Sequence, residues 1–139
     1  MVDAKDSIAL DTGALDARQL NLILTHLPVD LTFVDEADEV RYFSAKKDRI
    51  FARAPGIIGK RVQDCHPAES VHVVNRILDE FKAGTRDEAE FWIKLGEPFV
   101  YIRYFALRDA DGTYRGTLEV SQEVSGIRAL EGERRLLDW

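Results

Sequence analysis

The sequence contains a single cysteine, Cys65, which excludes an internal disulfide and fits a reducing compartment. It contains no apolar run close to the roughly 20 residues of a membrane-spanning helix, and its N-terminus lacks the pattern of a signal peptide. These absences predict a cytoplasmic protein that does not cross a membrane.

Basic residues and catalytic motifs are also scarce. The 19 lysines and arginines are outnumbered by 25 acidic residues, so the formal net charge is −6 and no basic stripe indicates binding to nucleic acid. The sequence has no Ser-His-Asp arrangement, phosphate-binding glycine loop or metalloprotease motif. We therefore expect neither a nucleic-acid partner nor an enzymatic activity.

The 139 residues, of which 45% are apolar, suit one folded domain with a core of its own. Leu20, Ile23, Leu24 and Leu27 recur at helical spacing, and Pro28 ends that helix. The sequence predicts four parts: a flexible arm over 1–14, a flanking helix over 15–27, the main domain over 28–125 and a helical tail over 126–139.

The main domain begins with a predicted hairpin and ends with three longer strands. Alternating apolar residues across 90–123, interrupted at Gly96-Glu97 and Asp111-Gly112, predict a three-stranded antiparallel meander. The elements predicted before it are strands at 31–34 and 40–43, short helical segments at 45–52 and 59–66, and a longer helix at 67–83. An antiparallel sheet with helices segregated to one face accommodates this order, so the predicted fold class is α+β.

Several short motifs, in this order, resemble a PAS domain over residues 27–127. They are Leu27-Pro28, the acidic turn Asp35-Glu36-Ala37-Asp38, the helix-start motif Cys65-His66-Pro67, and Arg108-Asp109-Ala110-Asp111-Gly112. The segments LPVDLTFVDE, VRYFS, EFWIKLG, YIRYFALRD and GTLEV further resemble the PAS module at the C-terminal end of a prokaryotic family that also carries hemerythrin-like domains. The resemblance implies a PAS fold with a five-stranded antiparallel sheet, helices on one face and flanking N- and C-terminal helices. It also implies a sensory role and, in a full-length protein, a hemerythrin-like or other partner domain.

The meander has two faces, to which alternation assigns the side chains. A two-residue turn at Gly96-Glu97 pairs Ile93 with Val100. The resemblance to PAS domains then assigns the alternating residues of the last strand to the same two faces. The inner face and the longer helix are then expected to enclose a small, mostly apolar cavity. Its predicted ligand-binding residues are Phe91, Ile93, Val100, Ile102, Tyr104, Thr117, Glu119 and Ser121 from the sheet and Val74, Ile77 and Leu78 from the helix.

The opposite face of the same strands is also apolar, and there Glu90 is predicted to form an ion pair with Arg103. Exposed apolar patches commonly mark association sites. This face therefore predicts a homodimer, with an interface formed by Leu20, Leu24, Trp92, Tyr101, Phe105, Leu118 and Val120.

Glu119 is the most distinctive residue of the predicted cavity. A carboxylate in apolar surroundings is costly unless it is paired or protonated. It could anchor a ligand beside Tyr104, make a structural hydrogen bond, or face solvent after a one-residue register shift. If it faces the cavity, its replacement by leucine should stabilise the ligand-free domain by removing a desolvated carboxyl group.

Three residues are candidates for metal or haem ligation. Cys65 and His66 are adjacent, but Cys65-His66-Pro67 is also typical of a helix boundary. His72 lies one position away from the place where haem-binding PAS domains carry their histidine, and one residue rotates a helical side chain by about 100°. We therefore expect no metal and no haem. The run around Cys65 does not match the flavin-binding motif of LOV domains.

Together these features predict a sensory PAS module that binds a small, mostly apolar organic ligand. The module would transmit the presence of that ligand through a dimer interface or a partner domain. Two alternatives stay open. One is a ligand-free PAS domain for dimerisation or protein interaction, with its cavity filled by Phe91 and Tyr104. The other is a haem-binding redox or gas sensor.

Overall fold

The computed structural model describes residues 6–139, which begin with a small N-terminal unit. Strands β1 (Ser7–Ala9) and β2 (Ala14–Asp16) pair as an antiparallel hairpin and lead into helix α1 (Ala17–His26). Asp16 caps this helix, because its carboxylate accepts a 2.8 Å hydrogen bond from the backbone amide of Gln19. The flanking helix is therefore close to its predicted position.

The main body is a five-stranded antiparallel sheet in the order β4-β3-β7-β6-β5. Its strands are β3 (Asp30–Asp35), β4 (Val40–Phe43), β5 (Glu88–Lys94), β6 (Phe99–Arg108) and β7 (Tyr114–Glu123). Helix α2 (Val71–Ala83) buries Leu78 and Phe81, and the short helix α3 (Ser125–Arg128) follows the last strand. The predicted α+β architecture is confirmed. None of the helices in residues 6–139 is long and apolar enough to cross a membrane.

The register of the meander is the predicted one. Ile93 lies opposite Val100, and the Leu95 amide donates a 2.9 Å hydrogen bond to the Pro98 carbonyl across the Gly96-Glu97 turn. Because the register fixes which side chains share a face, the inner and outer faces of the meander also follow the predicted alternation.

Glu90 lies opposite Arg103, as predicted, but the two side chains take other partners. The Tyr101 hydroxyl donates a hydrogen bond to the Glu90 carboxylate. The Arg103 guanidinium lies 5.0 Å from the ring centre of Tyr101 and 5.4 Å from that of Phe105. The predicted ion pair is therefore replaced by stacking of the cation on two aromatic rings, which suits a planar guanidinium.

Gly116 occupies a position in the middle of the sheet that excludes any side chain. Its Cα lies opposite Asp35 in β3 and Leu107 in β6. Its φ is 145°, and a Cβ there would lie 2.4 Å from the carbonyl oxygen of Val34 and 2.7 Å from a ring carbon of Phe33. Glycine is required here because β3 could not pack this closely against β7 around a methyl group.

The predicted helical segment at 45–52 is wrong, because this segment is a loop tied to β3 and β4. The Arg49 guanidinium donates hydrogen bonds to the backbone carbonyls of Ser44 at 2.7 Å and Phe51 at 3.0 Å. The Ile50 amide donates to the Asp30 carboxylate at 2.6 Å. These side chains satisfy backbone groups that a helix would pair internally, so the loop needs no helical turn.

Other helix boundaries also differ from the prediction. Pro67 opens a turn, in which its carbonyl accepts from the amide of Ser70 at 3.1 Å, and α2 itself begins at Val71. The predicted helical tail over 126–139 is helical only in α3, and its later residues are exposed and irregular. The predicted flexible arm over 1–14 contains β1 and the first residue of β2, while its residues 1–5 lie outside the described residues.

Candidate ligand-binding cavity

A cavity of about 590 Å³ lies between the inner face of the sheet, helix α2 and the segment that joins β4 to α2. Most of its surface is apolar. Pockets of this size and character hold small organic molecules in many proteins. The lining residues are Thr32, Val34, Val40, Phe51, Ala52, Arg53, Ala54, Ile57, Val62, Cys65, His66, Pro67, Ser70, Val74, Ile77, Leu78, Ile102, Tyr104, Thr117 and Glu119.

Seven of the predicted ligand-binding residues line this cavity, and four do not. The seven are Ile102, Tyr104, Thr117 and Glu119 from the sheet and Val74, Ile77 and Leu78 from α2. Phe91 and Ile93 lie on β5 at the sheet edge, where they are 38% and 37% exposed. Val100 and Ser121 are buried outside the lining. The cavity thus lies under the middle of the sheet and not under its β5 edge.

Apart from Cys65 and His66, the remaining lining residues come from parts of the chain in which the sequence did not predict a site. Thr32 and Val34 alternate along β3 and share its inner face, a pattern that the sequence already contained. The lining residues between 51 and 65 belong to a loop and two short 3₁₀ turns, Pro55–Ile57 and Val62–Cys65. No periodic pattern identifies such a wall, because its course is set by tertiary hydrogen bonds.

The polar end of the cavity is formed by Arg53 and Glu119. A guanidinium nitrogen of Arg53, Nη2, lies 3.3 Å from Oε1 of Glu119, and the two side chains are 23% and 15% exposed. Glu119 lies opposite Tyr104 in β6 and Thr32 in β3. Burial raises the pKa of the Tyr104 hydroxyl, and the charge of Glu119 and its hydrogen bond to that hydroxyl raise the pKa further. Tyr104 therefore remains a neutral hydrogen-bond donor beside an ion pair.

Arg49 positions the loop that carries Arg53. It contacts the backbone of Ser44 and Phe51, and its Nη2 lies 3.5 Å from the Thr32 hydroxyl. Burial lowers the pKa of Arg49, while the charge of Asp30 acts in the opposite direction. The loop wall is thus fastened to the sheet by a second partly buried cation, Arg49.

The wall near α2 is held by Asp38 in the turn between β3 and β4. The Asp38 carboxylate accepts hydrogen bonds from Lys82 in α2 at 2.9 Å and from the Gln63 side chain at 3.0 Å. Its backbone carbonyl accepts from the Val62 amide at 2.8 Å. One buried carboxylate therefore connects the helix, the second 3₁₀ turn and the sheet around the cavity.

Cys65 and His66 line the cavity, whereas His72 is exposed on α2 and does not. Nδ1 of His66 lies 2.9 Å from the carbonyl oxygen of Val62, so this nitrogen carries the proton in neutral imidazole and Nε2 is the unprotonated one. Within residues 6–139, no group of three or more His, Cys, Asp or Glu side chains is arranged to hold a metal ion. If haem entered this cavity, His66 and not His72 would be the available axial ligand.

The residues predicted to form a dimer interface differ in exposure. Trp92 is 61% exposed, Val120 is buried at 9%, and the other five are partly buried. On α1, the neighbouring residues Leu22 and Ile23 are each 47% exposed and present more apolar surface than the predicted Leu20 and Leu24. An exposed apolar surface thus exists on the outer side of the sheet and on α1.

The structure has a five-stranded antiparallel sheet in the order β4-β3-β7-β6-β5 and a cavity between this sheet and helix α2. The PAS-like motifs of residues 27–127 imply this arrangement. A family model described as PAS domain matches residues 20–125. The chain belongs to the PAS domain family. Comparison with curated proteins gave no match.

Several solved structures share this fold. A C-terminal domain from Streptococcus mutans is 33% identical, with a TM-score of 0.83 over 93% of this chain and 100% of its own. A sensory box sensor histidine kinase from Vibrio cholerae is 15% identical, with a TM-score of 0.54 over 76% of this chain and 88% of its own. A PAS domain from Colwellia psychrerythraea is 11% identical, with a TM-score of 0.56 over 78% of this chain and 97% of its own.

Proposed function

We propose that this PAS domain is a sensory module that binds a small, mostly apolar organic ligand in the cavity of about 590 Å³. The observation that carries the proposal is the cavity itself, whose apolar walls end at a partly buried polar group of Arg53, Glu119 and Tyr104. Apolar walls supply binding free energy, and a few polar groups orient the ligand. The role is one of binding and signalling, without catalysis.

We propose that the sheet transmits the signal of ligand binding from the cavity to its outer face. Glu119 faces the cavity, while its neighbours Leu118 and Val120 in β7 have the opposite orientation. A ligand that moves Glu119 would also move these residues, and with them the outer face on which we propose that a second copy packs. In a longer protein, a hemerythrin-like or other partner domain would receive the same signal.

The relatives support a sensory role by analogy alone. The similar structure from Vibrio cholerae is described as a sensory box sensor histidine kinase. PAS-type folds serve several functions, and fold does not determine function. The proposal therefore depends on the cavity of this chain, and the kinase serves only as a precedent.

A second candidate function is dimerisation without a ligand, and the exposure of Trp92 at 61% favours it. The two functions are distinguished by thermal unfolding in the presence of small aromatic compounds such as indole and benzyl alcohol. A ligand that binds only the folded state raises the midpoint. We expect this rise in the native chain and its loss in Val74→Trp, whose indole ring would occupy part of the apolar side of the cavity. His72→Ala, on the same helix but outside the cavity, is the matched control. Equal midpoints with and without every compound would favour dimerisation alone.

A further inference from the structure

The charges that face the cavity indicate what kind of head group its ligand carries. Apart from His66, the lining residues from 6–139 that ionise at neutral pH are Arg53 and Glu119, which carry opposite charges. A ligand with a lone carboxylate would meet the like charge of Glu119, and one with a lone ammonium would meet that of Arg53. The polar end therefore favours a ligand without net charge.

The contact between Arg53 and Glu119 is also incomplete. It is a single contact of 3.3 Å, whereas charge-assisted hydrogen bonds commonly measure about 2.7–2.9 Å and arginine often binds carboxylate through two of them. Nη1 of Arg53 lies 3.2 Å from the carbonyl oxygen of Ala52. A guanidinium has five N–H donors and a carboxylate accepts at about four positions. Both groups can therefore form further hydrogen bonds with a ligand.

We propose, on the basis of the ligand-binding function above, that the ligand is a zwitterion with a large apolar body, of the class of aromatic α-amino acids. Its carboxylate would bind the Arg53 guanidinium and its ammonium group the Glu119 carboxylate. One long ion pair is thereby replaced by two shorter ones. The aromatic side chain would lie among Val74, Ile77 and Ile102 on the apolar side of the cavity.

The surroundings of the two charges suit this arrangement. Glu119 lies on β7 opposite Tyr104, on the sheet side of the cavity. Arg53 lies on the loop side, and its backbone is fixed by Arg49 through Phe51. The two charged groups are thus presented from opposite walls. A small aliphatic amino acid would leave much of the cavity of about 590 Å³ unfilled, which is why a large ring is favoured.

The test is isothermal titration of the native chain with three compounds of one shape. They are L-tryptophan, indole-3-propionate, which lacks the ammonium group, and tryptamine, which lacks the carboxylate. We expect L-tryptophan to bind at least about tenfold more tightly than either, because each analogue loses one charge-assisted contact. Glu119→Gln should reduce the preference over indole-3-propionate, and Arg53→Gln the preference over tryptamine. His72→Ala, outside the cavity, should change neither.

The outcomes separate this inference from the proposed function. If either analogue binds as tightly as L-tryptophan, the proposal of a zwitterionic ligand is wrong, while the proposal that the cavity binds a ligand still holds. If none of the three binds, the zwitterion is also wrong. In that case the unfolding midpoints of the native chain and of Val74→Trp, each measured with and without indole and benzyl alcohol, decide whether the cavity binds apolar ligands at all.

Discussion

The Arg53 guanidinium contacts the Glu119 carboxylate across 66 positions of sequence. Arg53 belongs to the loop after β4, and Glu119 lies in the middle of β7, between Thr32 and Tyr104 on the neighbouring strands. The contact therefore closes the loop wall of the cavity onto the sheet. It does so at the one place where the lining carries opposite charges.

We expect Arg53→Met and Glu119→Leu each to lower the free energy of unfolding by about 1–3 kcal/mol, because each leaves a charged partner largely buried and unpaired. The double variant should lose less than the sum of the two, with a coupling of about 0.5–3 kcal/mol. Urea denaturation of the four chains measures both quantities. Strictly additive losses would show that the two groups do not interact.

Gly116→Ala should destabilise the domain by about 2–4 kcal/mol, because its Cβ would lie 2.4 Å from the Val34 carbonyl oxygen in a backbone conformation that disfavours side chains. Gly56→Ala is the matched control, since a Cβ at Gly56 meets no atom within 4 Å. The control should change stability by less than about 0.5 kcal/mol. Similar losses in the two variants would contradict the role given to Gly116.

The strands of this fold could be predicted from the sequence, whereas its loops could not. The meander is specified by alternating apolar residues and by turn glycines such as Gly96, which are local signals. The loop at 45–52 depends on Arg49 and Asp30, which bond backbone groups from another strand. A helix was predicted there because composition alone does not reveal such tertiary partners.

The same limit applies to the cavity. Tyr104 was predicted from the alternation of the sheet and Glu119 from the resemblance of the last strand to PAS domains. The partner of Glu119 was not predicted, because Arg53 lies in an aperiodic loop. Replacement of an unpaired Glu119 by leucine would raise the stability of the domain. Because Glu119 contacts Arg53, the same replacement is instead expected to lower it. The β5 residues Phe91 and Ile93 have the correct orientation, but they lie too far towards the sheet edge to line the cavity.

We expect the purified chain to form a homodimer at micromolar concentration, because Trp92 on the outer face is 61% exposed beside the partly buried Tyr101 and Phe105. Trp92→Glu and Leu118→Glu should shift sedimentation towards the monomer. Ile58→Glu, at a residue that is 45% exposed outside the predicted interface, is the control. A native chain that sediments only as a monomer would contradict the proposed interface.

The purified chain is expected to be colourless and to contain no stoichiometric iron or zinc. His72 is exposed, and within the described part of the chain no three metal-ligating side chains converge. Absorption near the haem Soret region and metal analysis provide the check. About one iron per chain, lost in His66→Ala but kept in His72→Ala, would instead establish haem ligation by the histidine in the cavity.

The most direct test of a ligand-binding cavity is native mass spectrometry of the chain purified without unfolding. We predict a population heavier than the bare chain by the mass of one small organic molecule, which denaturing solvent releases. We also predict its absence in Val74→Trp, where the new side chain occupies the cavity. A native spectrum that shows only the bare chain, or an added mass that persists in Val74→Trp, would contradict the account.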